Sequence, residues 1–171
     1  MSVNATGSDE IRVNTTTLDS QETAWVRVLA DGGWVVTWQS TGQDGDLIGV
    51  YQQRFNADGT PSGSETLVNT FTAGSQDESS TTALSDGGWV VTWVSGGQDG
   101  QGFGVYQQRF SADGTPSGSE TLVNAETTSN RVNPYVTAAI SKTWRSPARH
   151  RSTAPATAWP TASPATPATT P

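Results

Sequence analysis

The sequence predicts an all-β protein made of tandem four-stranded antiparallel meanders. Three observations carry that expectation. Residues 31–69, which begin DGGWVVTW and end ETLVN, return as residues 86–124 at an offset of 55. Only six of the 39 paired positions differ: Gln39/Val94, Thr41/Gly96, Asp46/Gln101, Leu47/Gly102, Ile48/Phe103 and Asn56/Ser111. Within each copy, side chains alternate with a period of two, the period of a strand with two unlike faces. Gly, Ser, Thr, Asp and Asn are abundant, a composition that suits short strands and tight turns better than helices.

The repeat starts before its first strong copy. Ile11, Val13 and Asn14 align with Thr66, Val68 and Asn69 and with Thr121, Val123 and Asn124. Residues 1–23 therefore hold a partial repeat with one strand. The first full repeat is 24–78. Its first strand, 24–29, alternates Trp25, Arg27 and Leu29 against Val26 and Val28. Asp31, Gly32 and Gly33 form a hairpin turn, since glycine accepts positive φ without a steric penalty. The second strand, 34–38, places Trp34, Val36 and Trp38 on one face and Val35 and Thr37 on the other. The third, 48–55, places Tyr51, Gln53 and Phe55 opposite Val50, Gln52 and Arg54. A turn-rich link, 56–63, leads to a fourth strand at 65–69 and a polar connection at 70–78. Residues 79–133 repeat this plan, and 134–140 begin a truncated third repeat.

Four strands in about 46 residues plus a connector is the size of a β-propeller blade. A β-sandwich that turns two aromatic faces toward each other is the alternative. Two blades with orphan strands at either end leave open edges, which template further pairing. The expected partners are therefore further copies of the same repeat. Residues 141–171 hold six prolines and no Gly, Val, Leu, Ile or acid. Such a Pro/Ala/Thr-rich tail cannot bury a core and is expected to be disordered.

The net charge of −7 is unevenly spread: all 16 acidic residues precede residue 141, which leaves that part near −11. An acidic body lacks the basic stripe of a nucleic-acid surface. There is no cysteine, hence neither disulfide nor thiolate site. No apolar run approaches the roughly 20 residues of a membrane helix. The start, MSVNATGSDE, has neither the basic nor the apolar region of a cleavable signal.

Candidate chemistry is sparse. Asp44 and Asp46 form an Asp-x-Asp loop, and Asp99 is the equivalent of Asp44 in the second copy. Calcium takes six to eight oxygens and uses such loops, so these three are the candidate metal ligands. Plain turn chemistry is the competing explanation. Trp34, Trp38, Trp89 and Trp93, with Tyr51, Phe55, Tyr106 and Phe110, suit a core better than a glycan-stacking platform. Arg54 and Arg109 are expected to pair with Glu65 and Glu120 on the adjacent strand. The one histidine, His150, lies in the tail, so no Ser-His-Asp triad can be assembled. The candidate acids sit in turns, and most recur in both copies, whereas a catalytic centre is normally unique. The expectation is that the chain is not an enzyme and holds no catalytic or cofactor-binding residue.

The motif DGGWVVTW…GQDG…GVYQQRF resembles the tandem repeat of large secreted bacterial proteins that also carry hemolysin-type (RTX) calcium-binding repeats. The resemblance covers residues 11–140. It implies an extracellular or cell-surface setting, an adhesive or structural role, association with calcium, and contacts with glycans or surface components. The glycine-rich nonapeptide that binds calcium in such proteins, G-G-x-G-x-D, does not occur here. The functional expectation is a non-catalytic structural or adhesive module of a secreted or surface protein. The alternative is a fragment of a carbohydrate-binding or carbohydrate-cleaving β-propeller.

Overall fold

The computed structural model describes residues 10–100 and 102–124. The expected strand in 134–140 and the tail 141–171 lie outside the described residues, as do 1–9 and 125–133. Among the described residues there are eight strands and no helix: β1 (Gln21–Val28), β2 (Trp34–Thr41), β3 (Ile48–Phe55), β4 (Pro61–Leu67), β5 (Gln76–Ala83), β6 (Trp89–Gly96), β7 (Phe103–Phe110) and β8 (Thr121–Leu122). They form two four-stranded antiparallel sheets in simple meander order, β1-β2-β3-β4 and β5-β6-β7-β8. The all-β expectation holds, and each repeat is one propeller-like blade.

The third strand matches its expected bounds, and the others differ for local reasons. β1 starts three residues before position 24 because pairing continues past a bulge: Gln21 opposes Ser40 and Glu22 opposes Gln39, then the register shifts before Trp25. β5 repeats this shift between Asp77 and Ser80. Residues 61–67 and 116–122 have the same sequence, yet β4 has seven residues and β8 two. The difference lies in the surroundings: Val68, just after β4, is packed under the second sheet, and its equivalent Val123 is exposed.

Each hairpin turn between the first two strands of a blade needs its second glycine. A Cβ on Gly33 would sit 2.5 Å from the Phe55 carbonyl oxygen. The backbone N–H of Gly33 donates to Asp31 Oδ1 at 3.0 Å, and that of Gly88 to Asp86 Oδ1 at 3.1 Å. The other carboxylate oxygen of Asp31 takes the Arg54 guanidinium, and that of Asp86 takes Arg109. This corrects the expected pairing of these arginines with Glu65 and Glu120. Those glutamates have other partners, described below.

The alternation read from the sequence sorts β2 and β3 as expected. Trp38 opposes Tyr51, Val36 opposes Gln53 and Trp34 opposes Phe55, so they share one face. Val36, Trp38, Tyr51 and Phe55 form one cluster with Val13, Trp34 and Leu67 against it. The second cluster joins unlike faces. Leu29, Val35, Val50 and Val68 of the first repeat pack on Trp89, Val91, Trp93, Tyr106 and Phe110 of the second. The aromatic face of one sheet thus lies on the aliphatic face of the other. Two aromatic faces do not meet, which distinguishes this packing from the sandwich alternative.

Several polar atoms caught in this contact find partners, although the buried Trp93 indole N–H has none among the described residues. The Trp89 indole N–H donates to Gln52 Oε1 at 2.9 Å. Thr37 and Thr81 share a hydrogen bond of 3.0 Å between their hydroxyls. Arg27 Nε donates to the Thr81 carbonyl at 2.6 Å. Fully burying a tryptophan is worth about 4–6 kcal/mol as an upper bound. Replacing Trp89 by Ala should therefore lower stability by about 3–5 kcal/mol. Trp34→Ala, at the half-buried equivalent position, should cost clearly less. Urea denaturation of the two variants followed by circular dichroism measures the difference, and equal losses would contradict the packing described.

Candidate functional site

The turn carboxylates singled out from the sequence are not brought together. Asp44 Oδ1 accepts the backbone N–H of Asp46 at 3.3 Å. Asp44 Oδ2 is buried and packs where a side chain on Gly49 would begin, 2.7 Å from an ideal Cβ there. Asp46 Oδ2 instead accepts the Gly74 N–H at 2.8 Å, tying the first blade to the connector of the second. Asp99 occupies the same turn as Asp44 one period later, in the other sheet. Among the described residues no group of three or more His, Cys, Asp or Glu side chains is placed to hold a metal ion.

Glu65 and Glu120 hold the connector that enters each blade. Glu65 Oε2 accepts the backbone N–H of Thr15 at 2.6 Å and its hydroxyl at 3.0 Å, while Oε1 takes Gln43 Nε2. Glu120 repeats this with Thr70 at 2.7 and 3.0 Å, and with Gln98. The tyrosine beneath each clamp stays neutral. Burial, then the charges of Asp44 and Glu65, push the Tyr51 hydroxyl up to about 12. Tyr106 is raised by burial, then by Asp99 and Glu120. Asp58 and Asp113, at the tips of the β3–β4 and β7–β8 links, are held low. The Thr60 hydroxyl is the main cause at Asp58, and the Thr115 backbone N–H at Asp113. These groups are structural: they close turns and fix connectors.

A different set of carboxylates lies along the first strands. β1 and β5 are the edge strands of their sheets, and they touch each other through Arg27 and Thr81. Each carries its bulge near the start. The residue inside the bulge is not glycine yet has positive φ: Thr23 at 53° and Glu78 at 49°. Such residues cost on the order of 1–3 kcal/mol each and persist only where the surroundings hold them. The strain recurs at the same place in both blades. It sets out Glu22 from one edge and Asp77 with Glu78 from the other. Glu22 is exposed and accepts the Ser20 hydroxyl. Asp77 is half-buried, and its carboxyl is raised above the ordinary range by burial first and by the Glu78 charge second. Trp25, immediately after the bulge of β1, leaves 45% of its surface exposed.

These two edge strands carry three chemical functions. Asp77 keeps its proton to higher pH and can donate it. Glu22 is exposed to water and offers carboxyl oxygens. Trp25 supplies a flat apolar face. Two carboxyl groups in unlike environments are the arrangement by which acid and base roles are separated. These residues lie outside the Asp-Gly turns that dominate the repeat. A signal was present: Gln21 and Gln76 are each followed by an acid, Glu22 and Asp77, in the weakly repeated part of the period.

No family model matches the chain, and no curated protein matches it. Among solved structures it is similar to an endo-arabinase from Bacteroides thetaiotaomicron VPI-5482, with 17% identity over 61% of this chain and a TM-score of 0.42. The match spans 43% of the length of that protein. At this level no substrate is read from the likeness. The expectation that the chain is not an enzyme is nonetheless corrected. The similar structure is that of an enzyme, no finding supports an absence of catalysis, and the argument from repeated turn acids left out the strained edge.

The raised Asp77 carboxyl has a consequence for stability. In the folded chain Asp77 binds its proton more tightly than when unfolded. Its ionisation therefore opposes folding, and stability falls as pH rises from the ordinary carboxylate range through the raised value. Asp77→Asn should melt higher than the parent at neutral pH. The difference should vanish at pH values below the ordinary carboxylate range. Thermal melts across an acid-to-neutral series check this, and a pH-independent difference would contradict it.

Proposed function

We propose that this chain is part of a carbohydrate-active β-propeller, and that the β1–β5 edge is where it meets its substrate. The carrying observation is the combination of exposed Trp25 with carboxyl groups of two kinds, Glu22 and Asp77, on strained bulges of adjoining blades. Sugar rings stack on indole faces through their C–H surfaces, and their hydroxyls donate to carboxylates. In this reading Asp77 donates a proton to the glycosidic oxygen and Glu22 acts as the second carboxyl group, as base or nucleophile. Trp25 fixes the ring next to them. The resemblance of the repeat to that of secreted bacterial proteins supports an extracellular setting, where polysaccharide is met.

The test uses the full chain with a panel of neutral and acidic polysaccharides. Retardation in gels cast with each polysaccharide measures binding, and release of reducing ends measures cleavage. Asp77→Asn and Glu22→Gln are expected to abolish release and leave retardation in place, with losses on the order of 10²–10⁴-fold in rate. Trp25→Ala is expected to weaken retardation by about tenfold, the scale of one aromatic contact. A parent chain that neither binds nor cleaves any member of the panel, or three variants that behave like the parent, would overturn the proposal.

A further inference from the structure

We propose that this chain binds a second copy of itself head to tail, through the same contact that joins its two blades. That contact is heterologous. Its donor half is an aromatic face, with Thr81, Ala83 and Trp89; its acceptor half is an aliphatic face, with Val35, Gln52 and Val68. Because the blades are repeats, each half exists once more on the same chain. One period back from the first half stand Val26, Val28 and Trp34. One period on from the second half stand Val90, Gln107 and Val123.

Each spare half has an uncovered part, although Val36, Trp38, Tyr51 and Phe55 beside the first are buried with Val13 packed on them. Val68 is 3% exposed and Val123 is 47% exposed. Thr81 is 2% exposed, whereas Val26 and Val28 are 58% and 69% exposed. The uncovered half is also the more apolar one, since valines stand where the buried contact uses Thr81 and Ala83. Exposed valines on an edge strand invite association. The polar pairing is preserved too. Gln107 gives its amide N–H to Thr121 Oγ1 at 3.3 Å. Its amide oxygen, the atom that Gln52 offers to Trp89, has no hydrogen bond among the described residues. The Trp34 indole N–H likewise has none there, although its ring stacks on Phe55.

A second copy is therefore complementary by construction: its Trp34 face fits the Val123 face of the first. A heterologous contact closes into a ring when its rotation completes a full turn, and otherwise builds an open filament. Two to four copies of two blades each give the roughly four to eight blades at which propellers close. This inference rests on the blade contact alone and is independent of the carbohydrate reading.

Analytical ultracentrifugation of the full chain tests it. The parent is expected to sediment as a whole-number multiple of its mass between two and four. Val28→Glu blocks one half of the contact and Val123→Glu the other, both at exposed positions. Each variant alone is expected to be a monomer with the far-ultraviolet circular dichroism of the parent. Mixed, they are expected to form a one-to-one dimer, because each retains the half that the other has lost. A parent that stays monomeric at every concentration, an oligomer that survives either substitution, or a mixture that stays monomeric would overturn the proposal.

Discussion

The burial of Trp89 against the aliphatic face of the preceding sheet is the contact on which the rest depends. It combines apolar area with one directed hydrogen bond, from the indole N–H to Gln52. The area makes the sheets adhere. The hydrogen bond sets the angle, because a buried indole N–H left without an acceptor costs about 1–3 kcal/mol. Trp89 stacks on Phe110 in its own sheet with ring centres 5.6 Å apart, so the indole is fixed from both sides. Trp34 stacks on Phe55 at the same distance. The two blades thus prepare the same aromatic face, and among the described residues only that of the second lies on a neighbouring sheet.

The two sheets bury many polar side chains. Thr37, Ser40, Gln52, Gln76, Thr92 and Ser95 are all buried. Strands this rich in Thr, Ser and Gln bury little apolar area, and burying polar groups is tolerable only when they pair. Asn69 illustrates the solution: its Oδ1 accepts the Val50 N–H at 2.8 Å, and its Nδ2 donates to the Phe71 carbonyl at 3.0 Å. Asn124 repeats the first of these bonds with Val105 at 2.6 Å. Side-chain amides replace the ladder bonds that the chain gives up where it leaves each blade.

The bulges of β1 and β5 follow from the same geometry. The connector must bring the chain from the last strand of one repeat to the first strand of the next, and the Glu65 and Glu120 clamps fix its path. The strand then enters one residue out of step and recovers through a positive-φ residue. Asp19 and Gly74, also at positive φ and one period apart, show that the connector itself repeats its shape despite its different sequence. Strain held this way is available to function because the clamp and the blade contact sustain it. It sets out a carboxyl group at the same place on the first strand of each blade without any long loop.

Much of the architecture could be read directly. A near-identical repeat with period-two alternation leaves only the β class, and the parity of Trp34, Val36 and Trp38 assigns the faces. The Asp-Gly-Gly turn fixes the first hairpin because no other residue pair fits it so cheaply. These are local properties, settled by sterics within a few residues. What the sequence could not settle was which face meets which. Alternation says that two faces differ, and it is silent on whether like or unlike faces join. Nor could it place Arg54, whose choice between Asp31 and Glu65 is decided by strand register and by Thr15 having claimed Glu65 from 50 residues away. The candidate carboxyl groups were hidden for the same reason: Asp77 becomes half-buried and Glu22 exposed only in the folded chain, and no pattern along one strand encodes that difference.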